Sequence, residues 1–222
     1  MLDIEHGTVR RGTATVLERG RITAPAPAAV ALIGINGSGK SSLFLHLIDA
    51  LRGSRGGASI SIGGRTASLA FVPQEPALPA WLDVRHVARL HDLDLDRLIE
   101  RMPGLHLDEL RRKRAGALSL GQRQAFAIAL ALGRNANLVL LDEPFSALDF
   151  RRRIGALDLL RQRVAQGGSV LLSSQSASDL IGVCDTYVVI RDGRYIFAGS
   201  RIELEARAGD DGIERELLRM LV

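Results

Sequence analysis

Residues Gly34-Ile35-Asn36-Gly37-Ser38-Gly39-Lys40-Ser41 satisfy every fixed position of the pattern GxxxxGK[ST]. That pattern works in one setting only, a buried strand that runs into a glycine-rich loop and then a helix. Both flanks fit. Val30-Ala31-Leu32-Ile33 is a short continuous apolar run, as a parallel strand covered on both faces would be. From Ser42 to Leu51 the spacing is helical, with Leu43, Leu47 and Leu51 on one face. Gly37 and Gly39 can take positive φ and turn backbone N–H groups inward around phosphate oxygens. The helix after the loop presents its N-terminus to the same anion. Lys40 would reach the terminal phosphates of a nucleotide, and Ser41 would ligate Mg2+. Gly34, Asn36, Gly37, Ser38, Gly39, Lys40, Ser41 and Ser42 are therefore the candidate phosphate site.

A second apolar run, Leu138-Val139-Leu140-Leu141, ends in Asp142-Glu143 and is stopped by Pro144. Ligands of open α/β sheets bind at the carboxyl ends of buried strands. Asp142 is placed to hold Mg2+, directly or through water. Glu143 is placed to polarise an attacking water as general base. Alone, an Asp-Glu pair reads as two solvated acids; beside a phosphate loop it reads as chemistry.

The rest of the chain organises around these two strands. Residues 53–72 look β-rich: Ser59 to Ile62 alternates, Gly63-Gly64 turns, and Ser68 to Val72 returns. Pro73, Pro76 and Pro79 mark a loop. Val84 to Arg114 is helical and charged, broken at Pro103-Gly104, and a helix is expected over Gly121 to Leu132. Val170 to Leu172 is a third buried strand, and Tyr187 to Ile190 and Arg194 to Phe197 flank Asp192-Gly193 as a tight hairpin. A short helix is expected over Ile213 to Leu218. No repeat or linker divides the chain, so residues 1–222 read as one α/β domain with a β-rich insertion near 53–72 and a helical one near 80–130.

Composition narrows the function classes. Net charge is +4, but the basic residues are almost all Arg, scattered along the chain, and only Lys40 and Lys113 are lysine. The densest run, Arg111 to Arg114, is expected to be a solvated face, and no nucleic-acid partner is expected. A single cysteine, Cys184, excludes an internal disulfide. The five histidines form no metal-ligand spacing. The N-terminus does not read as a signal peptide. The longest apolar run, Ala125 to Leu132, is far short of the ~20 residues of a membrane helix. The chain is expected to be cytoplasmic, touching a membrane only through a partner.

Taken in order, the motifs resemble those of the ABC (ATP-binding cassette) ATPases over essentially the whole chain. Phe71-Val72-Pro73-Gln74-Glu75 resembles the Q-loop, Leu118-Ser119-Leu120-Gly121-Gln122 the LSGGQ signature, Leu138 to Glu143 the Walker B strand, and Ser146-Ala147-Leu148-Asp149 the D-loop. The resemblance implies a P-loop NTPase core, a mostly parallel sheet flanked by helices, with an antiparallel β subdomain and an α-helical insertion. It implies ATP and Mg2+ as ligands, and ATP hydrolysis coupled to transport by a transmembrane permease subunit. It also implies head-to-tail pairing with a second cassette, as homodimer or heterodimer. Ser119, Gly121 and Gln122 would then cap the partner's nucleotide, Gln74 would touch Mg2+ and sense the γ-phosphate, and Asp149 would tie the two sites together.

Three positions depart from the family pattern. Gln175 stands where the switch His is usual, and its amide can donate a hydrogen bond but does not titrate near neutral pH. No aromatic residue precedes the phosphate loop to stack on a base, leaving His6 or Arg10 as substitutes. Leu120 replaces the first signature glycine. These imply a cassette that binds ATP but hydrolyses it slowly, with a heterodimer partner supplying the fitter catalytic residues. The tail from Gly199 to Leu218 looks closer to export cassettes than to sugar importers. Two other readings stand beside the transporter motor: a cassette ATPase outside transport, and an ATP-binding regulatory subunit.

Overall fold

The computed structural model describes residues 1–53, 57–176, 178 and 180–222. The chain opens with strands β1 (Leu2–His6), β2 (Val9–Arg11), β3 (Ala14–Leu17) and β4 (Gly20–Ala24), followed by β5 (Ala29–Ile33) and helix α1 (Lys40–Leu51). Strands β6 (Ala58–Ile62), β7 (Arg65–Thr66) and β8 (Leu69–Val72) come next. Helices α2 (Val84–Leu90), α3 (Leu95–Arg101) and α4 (Leu120–Gly133) are next in the chain, with 3-10 turns between α3 and α4. The remainder is β9 (Leu138–Leu141), α5 (Phe150–Ala165), β10 (Ser169–Ser174), β11 (Thr186–Arg191), β12 (Arg194–Ser200), α6 (Arg201–Ala208) and α7 (Ile213–Leu221).

The main sheet has the order β12-β11-β5-β10-β9-β8. Every neighbouring pair is parallel except β11 and β12, the hairpin expected around Asp192-Gly193. Its central strands are apolar along their whole length because both faces are covered. In β5 the side chains of Ala29, Ala31 and Ile33 enter one core and those of Val30 and Leu32 enter the other. Phe126 and Ala129 of α4 and Leu160 of α5 fill the first core. Leu43, Phe44 and Leu47 of α1 fill the second. The period of two along each strand thus places α1 on one face of the sheet and α4 and α5 on the other.

The smaller antiparallel sheet, β4-β1-β6-β7, draws on the N-terminal segment as much as on residues 53–72. Ile4 lies opposite both Ile22 and Ile60, and all three are buried. Leu69–Val72 does not return along this sheet, as the sequence had suggested. It lies parallel to β9 at the edge of the main sheet, from Leu69 opposite Leu138 to Val72 opposite Leu141. Polar groups fix that register. The Ser68 backbone N–H donates to Asn137 Oδ1 at 2.8 Å, and the Asn137 N–H donates to Ser68 Oγ at 3.0 Å.

The expected helical stretch also breaks down after α3. Pro103 starts a 3-10 turn, and His106 sits at φ 51°, a left-handed value that ends it. The C-terminal helix runs to Leu221, past the expected Leu218.

Leu172 is 0% exposed and sits in β10 between β5 and β9. Replacing it by Ala opens a cavity at the centre of the sheet. The expected loss is about 2–5 kcal/mol of unfolding free energy, read as a lower urea midpoint with unchanged slope.

Candidate functional site

The strand β5 ends at Ile33, and the next residue, Gly34, is anchored to the neighbouring strand: its N–H donates to the Ser174 carbonyl at 3.3 Å. The loop then leaves the sheet and enters α1 through Gly39, whose φ of 107° is open to glycine and strained for other residues. No side chain caps α1, so its first-turn N–H groups remain free for an anion. Asn36 and Ser41 are exposed, Ser42 is half-buried, and the hydroxyl of Ser38 is buried with no hydrogen-bond partner. Lys40 folds back under the loop. Its Nζ donates to the Gly34 carbonyl at 2.7 Å and to the Ile35 carbonyl at 3.2 Å, and stands 3.4 Å from Glu143 Oε1.

The carboxylates arrive from β9. Asp142 continues the sheet, its N–H donating to the Val72 carbonyl at 2.9 Å. Glu143 then turns sharply, at φ 46°, a left-handed conformation that costs a non-glycine residue about 1–3 kcal/mol. Three hydrogen bonds hold it there. Its N–H donates to Ser173 Oγ at 2.9 Å, and its carbonyl accepts from Ser146 Oγ at 2.9 Å and from the Ser146 N–H at 3.3 Å. The same Ser173 hydroxyl donates to Asp142 Oδ1 at 2.5 Å. Glu143 Oε2 accepts from the Gln175 N–H at 3.3 Å, while Oε1 is buried without a hydrogen bond. The phosphate loop, Asp142, Glu143 and the Gln175 backbone therefore converge at the carboxyl ends of β5, β9 and β10.

Ser119, Gly121, Gln122 and Asp149 do not join this group. Among the described residues, no hydrogen bond or ion pair links them to the phosphate loop. They form a second cluster at the starts of α4 and α5. Ser119 caps α4 in a reciprocal arrangement: its Oγ accepts from the Gln122 N–H at 3.2 Å, and Gln122 Oε1 accepts from the Ser119 N–H at 3.2 Å. Lys113 Nζ donates to the same Gln122 oxygen at 3.2 Å. A Cβ on Gly121 would stand 2.5 Å from the Ala147 carbonyl oxygen, so glycine there lets α4 rest on the Ser146–Asp149 turn. Asp149 caps α5, and its carboxyl pKa is held below the usual range, first by the Arg152 backbone N–H it accepts from.

The family described as ABC transporter matches residues 17–146, from the end of β3 to the turn after Glu143. The chain belongs to this family. It is 30% identical over 192 residues to the lipopolysaccharide export system ATP-binding protein LptB of Acidithiobacillus ferridurans, covering 79% of this chain and 80% of that one. It is 31% identical over 211 residues to the thiamine import ATP-binding protein ThiQ of Jannaschia sp., covering 88% and 91%. A solved structure described as the ATP-binding subunit of an ABC transporter shares the fold at TM-score 0.82 over 99% of each chain, with 23% identity.

Within this cassette the positions that depart from the family pattern can now be located. Leu120 is the first residue of α4 and 45% exposed, so its side chain points off the helix start without displacing Ser119 or Gly121. Gln175 is exposed just beyond β10, at the place the sequence suggested. Gln74 is exposed in the loop after β8. His6 is no candidate for stacking on a base. It is buried between β1 and β12, with Nε2 bonded to the Tyr195 hydroxyl and Nδ1 2.7 Å from the Gly7 carbonyl. Desolvation pushes its imidazole pKa below the ordinary value. Arg10, by contrast, is exposed on the β2–β3 hairpin.

The donor set suits Mg2+. Ser41 offers a hydroxyl and Asp142 a carboxylate, both hard oxygen ligands. Two buried oxygens without hydrogen bonds, Ser38 Oγ and Glu143 Oε1, belong to the phosphate loop and the acidic strand end. Ser173 was not singled out by its sequence, although two serines closing a buried strand beside the switch position were a usable signal. Ser173→Ala leaves the buried Glu143 N–H without an acceptor. The expected cost is about 1–3 kcal/mol of stability, measured as a lower denaturation midpoint.

Proposed function

We propose that this cassette hydrolyses ATP as one half of a nucleotide-sandwich dimer and drives a membrane transporter. The observation that carries the reading is the division of the motifs within one chain. Phosphate loop, Asp142 and Glu143 form one half of a nucleotide site, and Ser119 with Asp149 forms another half facing elsewhere. Two chains packed head to tail would complete two sites.

In each site the backbone N–H groups of the loop and the start of α1 bind the phosphates, and Lys40 moves from Glu143 to the β- and γ-phosphates. Ser41 and Asp142 hold Mg2+, with Gln74 reaching it from its loop; when bound, the ion neutralises charge on the phosphate oxygens. Released from Lys40, Glu143 Oε1 accepts the proton of the attacking water. The Gln175 amide donates to the γ-phosphate but shuttles no proton. That property favours slow turnover and a heterodimer whose second cassette carries the fitter site. Ser119 Oγ–H, the Gly121 N–H and Gln122 face the partner's nucleotide.

The partner in the membrane is proposed from shape. A cleft of about 590 Å³ opens beside the Gln74 loop. Phe71, Pro76, Ala127 and Ala131 give it an apolar lining, and Arg52 and Arg134 give it basic residues. A short cytoplasmic helix of a permease subunit fits such a cleft. Among the described residues no helix is long and apolar enough to cross a membrane. The chain would therefore sit on the cytoplasmic face through that subunit. The relatives carry both import and export names, and the hydrolytic parts serve either direction.

The test is Mg2+-dependent ATP turnover of the full chain, alone and in its membrane complex, beside Glu143→Gln. Turnover is expected to fall by about 10²–10⁴-fold in the variant while ATP binding persists, and to vanish on chelation of Mg2+. Undiminished turnover in Glu143→Gln would overturn the base assignment. ATP binding without turnover in either setting would favour the regulatory-subunit reading.

A further inference from the structure

Arg152 belongs to none of the motifs above, yet its guanidinium joins three segments. Its side chain is only 12% exposed. Nη1 donates to Asp149 Oδ2 at 2.5 Å, and the Arg152 backbone N–H donates to Asp149 Oδ1 at 2.9 Å, so one residue holds both oxygens of Asp149. Nη2 donates to Glu109 Oε2, and Nε donates to the Leu105 carbonyl at 3.3 Å. Leu105 and Glu109 lie in two successive 3-10 turns, Pro103–Leu105 and Leu107–Leu110, of the stretch that leads to α4.

Packing reinforces the same link. Gly104 and Gly155 bring the first turn and α5 into backbone contact, and a Cβ on Gly155 would collide with the Gly104 carbonyl oxygen. Leu107 and Leu110 of the second turn are buried in the core that holds Phe126 of α4. From the other side, Gly121 rests on the Ala147 carbonyl. The Ser146–Asp149 turn is thus gripped between the start of α4 and the Arg152 clip.

We infer that Arg152 is a positioning residue that locks Asp149 to the turns before α4, so that the D-loop and the signature helix approach the second cassette as one body. This rests on the sandwich reading above. Arg suits the task because its planar fork can donate in three directions, which a single ammonium on a flexible stem cannot match in that geometry. The cap of α5 does not depend on the side chain. Asp149 Oδ1 accepts from the backbone of residue 152, so Arg152→Ala keeps the cap and loses only the guanidinium bonds.

The experiment compares ATP turnover of the full chain in its membrane complex for wild type, Arg152→Ala, Arg152→Lys, Glu109→Gln and the Arg152→Ala/Glu109→Gln double variant. ATP affinity of the isolated chain is measured beside it. Arg152→Ala is expected to lower kcat by about tenfold with ATP affinity within about twofold, and Arg152→Lys to recover only part. Glu109→Gln is expected to lower kcat less and to add nothing in the double variant, the mark of two residues acting through one link. If Arg152→Ala keeps kcat within about twofold of wild type, whatever its melting temperature, the inference is overturned. It is overturned equally if the two single effects multiply. A wild-type complex without turnover ends the functional reading and this inference with it, whereas a working wild type with an indifferent Arg152 ends the inference alone.

Discussion

The site depends first on the parallel register of β5, β10 and β9. Ser174 lies opposite Ile33, and Leu172 lies opposite Leu141. Because the three strands run the same way, they end together, and the segments leaving them meet at one edge. The phosphate loop leaves from Ile33, Asp142-Glu143 from Leu141, and Gln175 from Ser174. Ser173 is the hinge of this arrangement. One step beyond the Leu172–Leu141 pair, its hydroxyl is set against both Asp142 and the Glu143 backbone.

That edge is held under strain and with unpaired groups, and the sheet beneath it makes this tolerable. Glu143 sits in a left-handed conformation, and its side chain is 10% exposed beside a lysine that is 6% exposed. A buried ion pair is weak support for a fold, since desolvation offsets most of its attraction. The apolar strands below, 0% exposed from Leu138 to Leu141 and from Val170 to Leu172, supply the stability instead. Lys40 and Glu143 pair at 3.4 Å without a hydrogen bond, an arrangement that a competing anion can break.

Much of this was legible in the sequence. The continuous runs Val30 to Ile33, Leu138 to Leu141 and Val170 to Leu172 announced buried parallel strands, and the glycine loop after the first of them required a helix behind it. The N-terminal sheet was missed even though Leu2, Ile4 and His6 alternate with acidic residues at a period of two. The acidic residues drew attention to charge and away from the period. Leu69 to Val72 was assigned to the wrong sheet because an apolar run carries no label for its partner; the Ser68–Asn137 clasp that decides it is a contact across 69 residues. Helix α5 has mean polarity high enough, with Arg151, Arg152 and Arg153 in its first turn, to hide a narrow apolar face of Ala156 and Leu160. The Arg152 clip was invisible for the same reason, since a run of three arginines does not reveal which one turns inward.

The departures from the family pattern fall on side chains and leave the backbone donors alone. A helix start binds an anion through N–H groups and the aligned peptide dipoles, and neither depends on the residue at position 120. Position 121 must provide room, because α4 rests on the Ala147 carbonyl there, and glycine is retained. At the switch, the bond from residue 175 to Glu143 comes from its main chain and survives whatever side chain it carries. The base-stacking position is different in kind. Stacking is a side-chain property worth ~1–3 kcal/mol, and His6 is committed to Tyr195 inside the fold. This cassette therefore keeps the interactions that recognise phosphate and has lost those that recognise the base, so its affinity must come from the triphosphate end of the nucleotide.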